Sequence, residues 1–232
     1  MRKPLLTIAL LFFVTLLFAQ KTEFSFGGYT TLMHFSGPSA TATTILNRGQ
    51  VDYTNNPYGS KNGNSFGIFV QGQYIQKNNF IIGLQTGTDV LRSKVNITET
   101  TPSSTPYPAY ATGTTTVSNQ YINLNPFIGF RLEASKIQLD LSAGVETAFV
   151  TRSYEEGMIY SKNGAVYRTN NNIRNLKTDN RIKLGLAAYY ERVSINASYA
   201  HGFSDYAKGM IGAQNSGAYT NVLRFGIGFK IF

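Results

Sequence analysis

Eight stretches of the chain alternate apolar and polar residues with a period of two, as strands with one greasy face do. The pattern is clearest over residues 219–232. There Leu223, Phe225, Ile227, Phe229 and Ile231 share one face, while Arg224, Gly226, Gly228 and Lys230 share the other. Fourteen residues of strand rise roughly 45 Å, enough to cross a bilayer at a tilt. The other seven stretches cover residues 23–35, 65–75, 80–94, 119–132, 137–150, 178–190 and 193–201. Connections between them alternate: long at 36–64, 96–118, 151–177 and 202–218, short at 76–79, 133–136 and 191–192. The long ones are rich in Ser, Thr, Asn, Gly and Pro and read as loops. This pattern predicts an all-β fold: an eight-stranded antiparallel transmembrane up-and-down β-barrel with short periplasmic turns and long extracellular loops. A water-soluble barrel has no physical reason for the alternation, and its outer face would be polar rather than Ile, Leu, Val and Phe.

Composition narrows the picture. Charged residues make up 14% of the 232, against about 25% in soluble proteins. That deficit suits a barrel whose exterior meets lipid. With no Cys, a lipidated-cysteine anchor, disulfides and thiolate metal sites are excluded. Residues 1–19 read as a cleaved signal peptide: Arg2 and Lys3, an apolar run from Leu5 to Phe18, then Ala19 before Gln20. The run is short for a spanning helix, and residues 20–232 form the barrel domain. The formal charge of +9 loses two bases with the signal, leaving +7 on the mature chain.

The closing spacing Arg224-x-Gly226-x-x-Phe229-x-Ile231, ending on Phe232, resembles the signal read by barrel-insertion machinery. With the strand pattern it makes residues 21–232 similar to the small OmpA/OmpX-type barrels of Gram-negative bacteria, and to PorT-like ones especially. The resemblance implies residence in the cell outer membrane, with membrane lipid and the insertion machinery as partners. Its PorT-like form implies assistance to a secretion apparatus. No catalytic or ligand motif comes with it.

Candidate chemistry begins inside. Eight strands leave a lumen that side chains fill. The inward rows hold Asp89, Asp140 and Glu146 against Arg131, Arg181, Lys183, Arg224 and Lys230, so acid–base pairs and bound water are expected there. A narrow pore is the alternative. The histidines are His34 and His201. His201 with Ser204 and Asp205 suggests an outer-membrane hydrolase, but residues so close along a strand–loop junction need not converge. The chain is therefore read as non-enzymatic, without metal or other cofactor. The segment 158–168 predicts a hairpin with a two-residue Asn163-Gly164 turn, which sets Tyr160 opposite Tyr167. Ser60-Lys61-Asn62-Gly63 carries the same tetrapeptide as residues 161–164. The loop 152–177 is basic and is a candidate contact for lipopolysaccharide phosphates, acidic glycans or an envelope or secretion protein. No motif or basic helix points to nucleic acid. The sequence favours a structural or loop-mediated role, by adhesion, partner binding or secretion assistance.

Overall fold

The computed structural model describes residues 21–102, 107–173, 176–208 and 217–231. The signal-peptide reading at 1–19 and the terminal Phe232 lie outside them. Eleven strands form one sheet: β1 (Lys21–Ser36), β2 (Thr43–Asn47), β3 (Tyr53–Thr54), β4 (Lys61–Ile75), β5 (Phe80–Thr101), β6 (Ala109–Ala134), β7 (Ile137–Ser161), β8 (Val166–Asn172), β9 (Thr178–Tyr190), β10 (Val193–Gly202) and β11 (Tyr219–Lys230). Eight of them close a ring, each antiparallel to its neighbours, in the order β1, β4, β5, β6, β7, β9, β10, β11 and back to β1. The seam closes on long ladders: Phe26 faces Phe229 on one side of β1 and Val70 on the other. Closure leaves the ring no free edge.

The outward rows form a belt. Phe66, Ile68, Ile82, Leu84, Ile128, Leu184, Ile195, Phe225 and Ile227 are all exposed. At its long-loop end the belt stops at polar residues: His34 on β1, Asn64 on β4, Arg92 on β5, Arg152 on β7, Asn180 on β9 and His201 on β10. From Phe80 to Arg92 a tilted strand climbs roughly 30 Å, the thickness of a bilayer's hydrocarbon. A continuous apolar girdle of this size belongs in lipid, where a closed barrel satisfies every backbone group internally.

Two expected loops are strand instead. The ladder of β5 runs on to Thr101 and that of β6 begins at Ala109, so most of 96–118 is sheet. Likewise β7 continues to Ser161 and folds back as β8, replacing much of the loop expected at 151–177. A bulge explains the misreading. The β6–β7 register slips between Gln120 and Tyr121, with Thr151 as the extra residue. Beyond it the outward set on β7 changes from odd to even positions, so alternation read in one parity breaks off there. Threonines 112, 114, 115 and 116 then extend the sheet as β-branched residues do.

The hairpin turn also corrects its prediction. Gly164 Nα donates to the Ser161 carbonyl at 3.0 Å, and Gly164 has φ +85°. This is a three-residue loop, a type I turn closed by a left-handed glycine, rather than a two-residue turn. The added residue shifts the register by one, so Tyr160 faces Val166 and Tyr167 faces Ile159. Tyr160 points outward, half exposed; Tyr167 packs inward on Leu46, Ile97, Ala111 and Ile159.

Above the belt the sheet is therefore β3-β2-β5-β6-β7-β8, with β2 parallel to β5. It curls until its outer strands meet. Asn171 Nδ2 donates to the Asp52 carbonyl at 2.7 Å, and Arg48 lies 4.1 Å above the Tyr167 ring. Residues 37–60 thus cross the top of the barrel as a strap.

Candidate functional site

The lumen is a stack of charged layers under an apolar stopper. At the short-turn end Arg131 on β6 spans two carboxylates: its Nε and Nη2 reach Asp140 on β7 at 2.7 Å, and Nη1 and Nη2 reach Glu23 on β1 at 2.9 and 2.8 Å. Lys230 Nζ joins Glu23 at 3.2 Å. Farther up, Glu146 on β7 takes Arg224 at 2.9 Å, Arg181 at 3.0 Å and Lys183 at 3.3 Å. Arg224 also holds Asp89 at 2.8 Å, and Arg181 holds Asp179 at 2.8 Å. The eight charged residues read from the sequence are thus brought together in two clusters.

Glu23 and Asp179 were not among them, and they settle the lumen's charge. With both included, the described lumen carries five acids and five bases. Such pairs are worth having only when every remaining donor and acceptor is engaged. A glutamine relay helps do this. Lys183 donates to Gln85, Gln85 to Gln71, Gln71 to Gln73, and Gln73 to both Glu23 and Asp140. Beside the relay lies a cavity of about 60 Å³, lined by Asn125, Ser142 and Lys183 among others. It has room for water, and the buried, otherwise unpartnered Asn125 Oδ1 faces that need.

The stopper sits above. Phe35, Tyr58 and Tyr206 pack edge to face, with centroids 5.0–6.1 Å apart, over buried Met33, Leu91, Val117 and Val222. Tyr206 shares a hydrogen bond with Tyr121 at 2.6 Å and donates to Asp179 at 3.1 Å. The stopper is thereby tied to the charged layer beneath it. No periodicity marks Tyr58 or Tyr206, which belong to connections, so sequence reasoning had no handle on them.

His201, Ser204 and Asp205 serve separate partners. His201 Nδ1 pairs with Asn221 Oδ1 at 2.8 Å, and its ring stands edge-on to Phe203. Ser204 Oγ accepts the Asn180 amide at 3.1 Å. Asp205 Oδ1 caps the amides of Ala207 and Ala218 at 2.9 and 3.0 Å. His34 pairs with Asn62. On the closing strand, Gly226 lies under Tyr29, while Phe229 and Ile231 stand outward in the belt.

Above the belt one carboxylate, Glu155, is buried with no cation on it among the described residues. Glu155 Oε1 accepts the Thr54 amide at 3.1 Å and Asn171 Nδ2 at 2.9 Å, joining β7 to both margins of the curled sheet. Burial raises its pKa above the ordinary carboxylate value, and those hydrogen bonds only partly oppose the rise. A carboxyl that binds its proton more tightly when packed than when free stabilises the packed state most at acid pH. The hold on the strap is therefore expected to weaken as pH rises from the ordinary carboxylate range through the raised value. Hydrogen exchange at the Thr54 amide should show protection falling over that window in the wild type and staying level in Glu155→Gln. A level wild-type profile would remove Glu155 from this role.

No family model matches the chain, and no curated protein does. Among solved structures, Ail, the attachment invasion locus protein of Yersinia pestis, in complex with the heparin analogue sucrose octasulfate, is 11% identical. That match covers 91% of this chain and 99% of that one, with a TM-score of 0.35. Neisserial surface protein A is 10% identical over 90% of this chain and 98% of its own, with a TM-score of 0.39. At such scores the fold rests on the strand ring itself. That ring is an eight-stranded antiparallel up-and-down barrel with an apolar exterior and a charge-neutral, filled interior.

Proposed function

We propose that the chain is a non-enzymatic outer-membrane barrel that acts through the sheet it raises above the membrane, by binding an anionic partner at the cell surface. One observation carries this reading: the lumen is filled and neutral, whereas the surplus charge lies outside it. In the long-loop segments seven described bases, from Arg48 to Lys208, stand against five acids, and Arg92 and Lys94 add two more bases at the belt's upper end. The raised sheet is built structure rather than slack loop, and it exposes Tyr110, Met158, Tyr160 and Val166 beside Lys162 and Arg168. Aromatic, aliphatic and basic side chains on a firm support make a recognition surface, and polyanions such as lipopolysaccharide phosphates or acidic glycans suit its charge. Arg224, Gly226, Phe229, Ile231 and Phe232 remain the proposed insertion signal.

The test has two arms. Purified protein in planar bilayers should give no large steady conductance, since both charged clusters and the stopper lie across any axial path. On immobilised heparin, used as a polyanion probe, Lys162→Glu/Arg168→Glu should elute at clearly lower salt than the wild type. Steady conductance would favour the pore reading, and unchanged elution would dismiss the hairpin as the contact.

A further inference from the structure

The outward row of β5 reads Ile82, Leu84, Thr86, Thr88, Val90, Arg92, Lys94. Its middle is low. Thr86 and Thr88 stand between Val70 and Ile68 on β4 and Leu124 and Ile122 on β6, their cross-strand partners, which are all exposed. The Thr86 hydroxyl donates to the Asn123 carbonyl at 2.9 Å, which takes its polar atom out of the wall. Two adjoining grooves of about 230 and 420 Å³ result. They share Ile68, Thr88 and Ile122, and the larger continues upward past Val90 and Gln120.

At the upper mouth the same row turns basic. Arg92 and Lys94 follow Val90, and Lys61 is the register partner of Lys94. Like charges directly opposite one another destabilise a sheet unless something neutralises them. None of the three makes an ion pair among the described residues, and Arg92 Nε is buried without a hydrogen-bond partner. Arg152, the register partner of Gln120 at the groove's upper end, is held differently from these. Arg152 is engaged over the Tyr154 ring at 4.9 Å, and exposed Phe149 fills the wall beneath it.

We infer that this trough holds one phosphorylated acyl lipid of the outer leaflet, an acyl chain lying along Thr86 and Thr88 and a phosphate between Arg92, Lys94 and Lys61. Shape and charge choose the same ligand: the groove is apolar along a hydrocarbon-length run, and the cations stand only at headgroup height. Charge-assisted hydrogen bonds to phosphate supply the selectivity. The inference rests on the outer-membrane placement proposed above.

The probe is bisphosphorylated lipid A in phosphatidylethanolamine nanodiscs, read by native mass spectrometry after transfer to detergent. The full chain is expected to retain one lipid A molecule. Two variants, Arg92→Gln/Lys94→Gln and the groove-filling Thr88→Phe, should each lower retention about tenfold, the effect of losing one charged hydrogen bond or one seat for a chain. Lys208→Gln, which removes an exposed base in the connection after β10, outside the groove lining, should retain it as the wild type does. Wild-type-like retention by Thr88→Phe, equal loss in Lys208→Gln, or no retention by the wild type would each overturn the inference. Heat-dependent gel mobility confirms that every variant is folded. Membrane fractionation tests placement separately, because retention in nanodiscs does not depend on where the cell puts the protein.

Discussion

Glu146→Ala is expected to destabilise the barrel by about 3–5 kcal/mol, the usual effect of stripping one partner from a buried ion pair. Glu146 is the point on which three cations converge, Arg224, Arg181 and Lys183, each within 3.3 Å. Without it Arg224 still has Asp89 and Arg181 still has Asp179, but five buried bases face four acids. The cost should therefore come mainly from the unbalanced charge, which gives a second, sharper expectation. Lys183 has the longest contact of the three, and its other partner is the neutral Gln85. Adding Lys183→Met to Glu146→Ala restores neutrality and should recover most of the loss, a strong departure from additivity. Urea titration followed by heat-modified gel mobility measures both. A double variant no more stable than the single one would show that the hydrogen bonds, and not the charge balance, hold this layer.

Much of this fold is legible because a barrel in lipid obeys one period. The outward rows from Phe24 to Ile231 are readable residue by residue, since each strand meets hydrocarbon on one side and the filled lumen on the other. Legibility ends where that contrast ends. Beyond Gln120 and Val150 both faces of the sheet meet water or its own small core, and a bulge reverses the parity. The strap strands β2 and β3 are five and two residues long, too short to show a period, and are held by partners distant in sequence. The hairpin misled for a local reason: Asn163-Gly164 fits a two-residue turn by composition, yet Gly164 serves as the left-handed residue of a longer one. Glu23 and Asp179 were within reach. Glu23 shares the parity of Ser25, and Asp179 that of Arg181 and Lys183, so extending each inward row outward by two residues finds them. Three predicted acids against five bases was itself the sign that two were missing, because a sealed lumen does not tolerate a net charge.

Asp179→Ala is the matching test at the other end of the charged stack, and its outcome should differ in kind from that of Glu146→Ala. Asp179 Oδ2 accepts three donors: Arg181 Nε at 2.8 Å, Thr220 Oγ1 at 2.7 Å and Tyr206 OH at 3.1 Å. Losing a fully buried carboxylate beside Arg181 should again cost about 3–5 kcal/mol. It also cuts a tie between the ring strands and the stopper, leaving Tyr206 its hydroxyl contact with Tyr121 at 2.6 Å and its ring packing. The connection after β10 should then open more often than the barrel unfolds. Trypsin cleavage at the exposed Lys208 reads that opening directly, and it should rise in Asp179→Ala while staying near wild type in Glu146→Ala at equal fractions folded. Tyr206→Phe, which removes the hydroxyl and keeps the ring, should be cleaved at a rate between the two, with its stability lowered by about 1 kcal/mol. Equal cleavage across all three variants would mean that aromatic packing alone seats the stopper; graded cleavage would place its hold on the barrel in the Asp179 carboxylate.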